Sequence, residues 1–213
     1  VYDSTLTKIG DILKGKQIKA MCWDSERDSL VALSAPKFIP GKIYLLTEGD
    51  ESQSVSVNAP YESGYPPAQM AIEPGGAFYL AGGSLWKVAM DGSISWSVNL
   101  PASASAIAAT SGEVAVLYRS ALNYEEDVFR SRLDTYSSSS GNFITRRKCR
   151  FEASRMDSNP ITGDFVVGNG GDASISVLPK GDEEGVHLSV GGATEDVFLP
   201  SDGKRLLILN RLG

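Results

Sequence analysis

The sequence predicts an all-β chain, and three observations carry that expectation. No window of about 11–18 residues keeps apolar residues at i, i+3, i+4 and i+7, so almost no helix is expected. Short apolar or alternating runs recur along all 213 residues, bounded by clusters of Gly, Pro, Asn, Asp and Ser. The runs fall into groups of four, and the groups repeat. The first large apolar residues of the second runs are Leu30, Phe78, Val114, Phe165 and Leu206, separated by 48, 36, 51 and 41 residues, with 37 across the joined ends. Their mean, near 43, matches the roughly 40–45 residues of a four-stranded propeller blade. The expected architecture is therefore a five-bladed β-propeller forming one domain over residues 1–213.

Each blade can be read in order. The first takes Gln17–Trp23, Leu30–Ala35, Lys42–Thr47 and Gln53–Asn58, with polar turns at 24–28 and 48–51. The second takes Gln69–Ile72, Ala77–Ala81, Ser84–Met90 and Ile94–Leu100. The third takes Ser105–Ala109, Val114–Arg119, Val128–Thr135 and Asn142–Phe151, and the fourth Ala153–Met156, Phe165–Gly168, Ser174–Leu178 and Gly185–Val190. At the C-terminus, Val197–Leu199 and Leu206–Leu209 flank the turn Pro200-Ser201-Asp202-Gly203-Lys204, which makes half a blade. Val1–Leu6 and Lys8–Lys14 read as two more short strands without a sheet of their own. Joining the two ends completes a fifth blade, because a ring sealed by its own termini leaves no open sheet edge. Leu206–Asn210 is expected to pair antiparallel with Val1–Leu6.

Three motifs carry a resemblance. Leu199-Pro200-Ser201-Asp202-Gly203-Lys204-Arg205-Leu206 resembles the turn of YVTN and lactonase-type propeller repeats, and Asp157-Ser158-Asn159-Pro160-Ile161-Thr162-Gly163-Asp164-Phe165 resembles a related form. The segment from Ser84-Leu85-Trp86-Lys87-Val88 to Asp91-Gly92-Ser93-Ile94-Ser95-Trp96 resembles a quinoprotein-type propeller repeat. They cover about a fifth of the chain and imply the fold, not a function.

Composition narrows the function classes. A net charge of −6 argues against a general nucleic-acid binder, and no apolar run reaches the roughly 18 residues of a membrane span. The chain begins with Val, has no signal peptide and reads as a processed protein or a piece of a longer one. Cys22 and Cys149 fall in different blades, too far apart for a disulfide. His187 is the sole histidine, so no metal cluster of known spacing exists and no cofactor is expected.

Two sets of residues stand out as candidate sites. Loops between second and third strands, and between blades, leave a propeller on the same face. Three irregular loops there carry Phe38, Tyr61, Tyr65 and Tyr124. Aromatic rings on Pro-stiffened loops supply contact area at low ordering cost. The favoured reading is a non-enzymatic scaffold that recognises a protein through this face, as part of a larger assembly such as a virion or cell-surface structure. The alternative is a carbohydrate-binding or glycoside-acting propeller using the channel mouth, where the starts of the innermost strands place Lys19, Gln69, Ser105, Arg155 and Glu195. Asp24, Glu73 and Asp157 each follow a first strand and resemble a set of catalytic acids, but turn chemistry accounts for them better. Arg146-Arg147-Lys148, with Arg130, Arg132 and Arg150, is the one basic run, read as protection of an edge strand.

Overall fold

The computed structural model describes residues 13, 15–24, 26–36, 41–47, 55–60, 67–73, 76–119, 131–149, 153–159, 161–170, 173–181, 185–200 and 202–211. Every regular element among them is a strand. β1 (Ile18–Asp24), β2 (Ser29–Ser34), β3 (Lys42–Thr47) and β4 (Val55–Asn58) form one antiparallel sheet in chain order. β5 (Gln69–Ile72), β6 (Phe78–Ala81), β7 (Ser84–Val88) and β8 (Ile94–Asn99) form the second, and β9 (Ala106–Ala109), β10 (Glu113–Arg119), β11 (Ser131–Ser137) and β12 (Phe143–Cys149) the third. β13 (Ala153–Ser158), β14 (Phe165–Asn169), β15 (Ser174–Leu178) and β16 (Val186–Ser189) form the fourth. β17 (Ala193–Phe198) and β18 (Leu207–Arg211) make a two-stranded sheet. The innermost strands β1, β5, β9, β13 and β17 follow one another side by side, which is a propeller-like arrangement.

Alternation along the strands explains the stacking. In a strand, successive side chains point to opposite faces, so each blade offers one apolar face to each neighbour. Val31, Leu33, Ile43 and Leu45 of the first blade pack on Phe78, Leu80, Trp86 and Val88 of the second. Tyr79, Ala81 and Leu85 from the other face of that second blade meet Val114, Val116 and Tyr118 of the third. Ala115, Leu117 and Leu133 then meet Phe165, Val167 and Leu178 of the fourth. Val166 and Ile175 meet Val197, Leu206 and Ile208 of the last sheet. Where β14 and β17 come closest the chain has Gly168, since a Cβ there would stand 2.7 Å from Thr194. The core is thus a series of inter-blade layers, not one central mass.

One expectation requires correction. The structure has four four-stranded blades and a two-stranded last sheet, not five four-stranded blades. Residues 1–12, assigned to the missing half, lie outside the described residues. What is described is an apolar face without a neighbouring blade. Phe198, Leu207 and Leu209 of the last sheet are at least half exposed, as are Met21 and Trp23 on β1. β17 and β1 show no packing comparable to that of the other inner-strand neighbours. Leu13 is buried against Ala32 and Leu46, on the face of the first blade turned away from the second.

Candidate functional site

The two ends of the innermost strands differ in chemistry. The starts of these strands carry the five channel-mouth residues of the sequence reading: Lys19 on β1, Gln69 on β5, Ser105 just ahead of β9, Arg155 on β13 and Glu195 on β17. Two of these are brought together. Arg155 Nε donates to the Glu195 carbonyl at 2.9 Å, and the Glu195 carboxylate pairs with Arg211 at 3.3 Å. Ser105 donates instead to the Leu117 carbonyl of its own blade. No described bond joins Lys19, Gln69 or Ser105 to the others. Phe38, Tyr61, Tyr65 and Tyr124 lie outside the described residues.

The opposite ends of the same strands enclose a cavity of about 760 Å³ on the axis. Its lining comes from all five inner strands and includes Met21–Asp24, Met70–Glu73, Ile107–Ala109, Met156–Ser158 and Asp196–Pro200. None of the five channel-mouth residues lines it. Alternation along β1 puts Lys19, Met21 and Trp23 on one exposed side, while Ala20 and Cys22 turn to the second blade. That alternation was the available signal for Met21 and Trp23, and the sequence reading passed over it. Asp196 and Phe198 were missed in the same way.

The three acids of the sequence reading have three different roles. Asp24 shapes its turn as expected: its Oδ1 accepts the backbone N–H groups of Glu26 and Arg27 at 3.1 and 3.2 Å, and Oδ2 pairs with the Arg27 guanidinium. At the equivalent place in the third blade, Thr110 Oγ1 accepts the Glu113 N–H at 3.2 Å. Among the described residues, no turn N–H donates to the Glu73 side chain. Its carboxylate accepts from the Tyr79 hydroxyl at 3.0 Å and pairs with Lys87 Nζ at 2.7 Å. Lys87 also donates to the Ser138 carbonyl at 2.9 Å, which ties the second blade to the third.

Asp157 departs furthest from expectation, because it is a strand residue and the turn is capped by Asn159. Asn159 Oδ1 accepts from Ile161 and Thr162, and its amide donates to the Gly203 carbonyl at 3.1 Å. Asp157 Oδ2 accepts the Leu199 N–H at 2.7 Å, tying β13 to the last sheet. Burial raises its pKa from 3.8 to about 6, and the negative charge of Asp196 pushes the same way. The folded state therefore favours the protonated acid. Its contribution to stability is complete below pH 3.8 and is lost as pH rises through about 6. Asp157→Asn is expected to abolish this slope between about pH 4 and 6, as read by denaturant melts across that range. An unchanged slope would mean that Asp157 is not the group responsible.

Other sequence features resolve into structure. Cys22 and Cys149 are free, and burial pushes both thiols up to about 12, so neither is primed as a nucleophile. Ser176 Oγ and His187 Nδ1 share a hydrogen bond at 2.8 Å. The basic run is broken up. Arg146 pairs with buried Asp134 at 2.9 Å, and buried Arg147 donates to the Pro179 carbonyl of the fourth blade. No group of three or more His, Cys, Asp and Glu suited to a metal ion occurs among the described residues. No helix among them is long and apolar enough to cross a membrane.

No protein-family model matches the sequence, and no curated protein matches it. The fold has solved counterparts. A chain in the crystal structure of the mitotic checkpoint complex superposes with a TM-score of 0.68 at 11% identity, over 92% of this chain and 60% of that one. At that identity the likeness shows the fold alone, and this chain spans well under two thirds of the matched one. The family assignments to YVTN or quinoprotein repeats gain no support from the family comparison.

Proposed function

We propose that this chain is a non-enzymatic binding propeller that recognises a protein partner through its loop-rich face, within a larger assembly. The observation that carries this reading is topological. The chain leaves β2, β4 and β10 and enters β3, β5 and β11 at the end where the innermost strands start. By sequence those connections hold Phe38, Tyr61, Tyr65 and Tyr124, and the reading takes these four aromatic residues as the contact residues. Likeness to a chain of a multi-protein complex agrees with a scaffold role. Residues 1–14 complete the last sheet as its third and fourth strands and close the ring as a fifth blade. Buried Leu13 on the first blade supports that course.

Alanine at Tyr61, Tyr65 or Tyr124 is expected to weaken partner binding by about 1–4 kcal/mol with little change in melting temperature. Isothermal titration against the captured partner, paired with thermal melts, checks this. Lost stability with unchanged binding would assign the rings to packing between blades.

A specific observation favours one second reading, a glycoside-binding or glycoside-acting site at the axis. Exposed Trp23 and Asp157, whose pKa burial pushes up to about 6, share the cavity. Hydrolysis of a panel of nitrophenyl glycosides that disappears in a folded Asp157→Asn variant would establish it in place of the scaffold.

A further inference from the structure

We propose that the axial cavity, at the ends of the innermost strands opposite their starts, receives a basic segment of a partner protein. A Lys or Arg side chain reaches Asp157 and Asp196, and the residues beside it lie on Met21, Trp23 and Phe198.

Charge selects the occupant. Every charged side chain among the described lining residues is acidic. Asp24 and Glu73 already hold Arg27 and Lys87. Among the described residues, no cation pairs with Asp157 or Asp196. There the first accepts the N–H groups of Leu199 and Ser158, and the second that of Val197. A carboxylate withdrawn from water without a counter-charge is costly, so a cation placed there relieves Asp157 and is drawn also by the exposed Asp196 beside it. Burial raises the pKa of Asp157, and the negative charge of Asp196 adds to it.

The apolar part of the lining selects a segment over a free ion. Met21 is 63% exposed, Trp23 53% and Phe198 50%, on the strands that border the open side between the first blade and the last sheet. A metal or ammonium ion would leave that surface wet. The aliphatic stem of Lys or Arg with an adjoining apolar residue covers it, and the indole of Trp23 also attracts a cation to its face. The volume of about 760 Å³ is within the range of pockets that enclose a few residues of peptide. The proposed closing strands extend the last sheet away from the axis, so both can be present together.

The test is fluorescence anisotropy on the full chain with a labelled peptide alternating lysine and leucine. A glutamate–leucine peptide of the same length and unlabelled spermine serve as controls. The lysine–leucine peptide is expected to bind, about tenfold more weakly to Asp157→Asn/Asp196→Asn and more weakly still in about 0.5 M salt. Asp196 is exposed, so Asp196→Asn alone preserves the test if the double variant does not fold, with a drop of several-fold expected. Trp23→Ser should weaken the peptide while leaving spermine unchanged. Tyr61→Ala, which does not alter the cavity lining, should leave peptide binding intact. Equal binding of the glutamate peptide, or no effect of either Asp196 variant, overturns the proposal. Displacement of the peptide by spermine at equal concentration also overturns it, since charge alone would then explain the site.

Discussion

Deleting residues 1–14 is expected to leave a protein that aggregates or is partly unfolded, with a much lower melting temperature. The last sheet has only two strands among the described residues, and a lone two-stranded hairpin is marginal in water. One face of it is held by Val166 and Ile175 of the fourth blade. The other presents Phe198, Leu207 and Leu209, and the edge of β18 has no described partner. Leu13 adds to the loss, because it covers Ala32 and Leu46. Leu13→Ala alone should cost about 2–4 kcal/mol by chemical denaturation. A truncated protein that stays monomeric and melts like the whole chain would show that residues 1–14 cover nothing.

Lys87→Met should be the most damaging polar substitution, at about 3–5 kcal/mol. Lys87 is the cation of Glu73, whose carboxylate is 11% exposed, and the donor to Ser138 across the blade boundary. The Met side chain keeps the volume but leaves the Glu73 charge buried with, among the described residues, only the Tyr79 hydroxyl. The same pairing explains the elevated Tyr79 pKa, since burial and the Glu73 carboxylate both oppose phenolate formation. Glu73→Gln added to Lys87→Met removes the orphaned charge and should recover more than half of the loss. Equilibrium denaturation of the four proteins gives the coupling energy. Additive losses would show that the pair is not coupled.

Much of the fold was readable because burial on both faces leaves apolar runs flanked by turn residues. Gln69–Ile72, Lys42–Thr47 and Ser174–Leu178 were predicted with the bounds they have. The largest shift of a strand start was at β17, expected from Val197 and found from Ala193, because Thr194, Glu195 and Asp196 offer no apolar run to mark where pairing begins. Residues 128–130, expected to open β11, lie outside the described residues. The site was less readable, since inter-blade contacts join residues distant in sequence. Asp157 looked like a turn residue by analogy with Asp24, yet its partner is the Leu199 N–H, 42 residues on. Asn159, Asp-like in its capping, was two positions away and took the turn instead. Arg146-Arg147-Lys148 read as a solvated stripe, because nothing local reveals that Asp134 sits opposite Arg146 or that the fourth blade accepts Arg147. Met21, Trp23 and Phe198 were not singled out, because sequence does not say which face lacks a neighbouring blade.

The central claim is that the N-terminal residues complete the last sheet, and amide hydrogen exchange tests it most directly. In β18, Leu207–Arg211, alternate N–H groups turn away from β17, so only a third strand can protect them. The account expects these amides and those of residues 1–6 to exchange slowly and to the same degree, as partners in one ladder. It also expects the protection in β18 to vanish when residues 1–14 are removed. Fast exchange throughout residues 1–6, with β18 protected only on its β17 side, would contradict closure of the ring by its own ends.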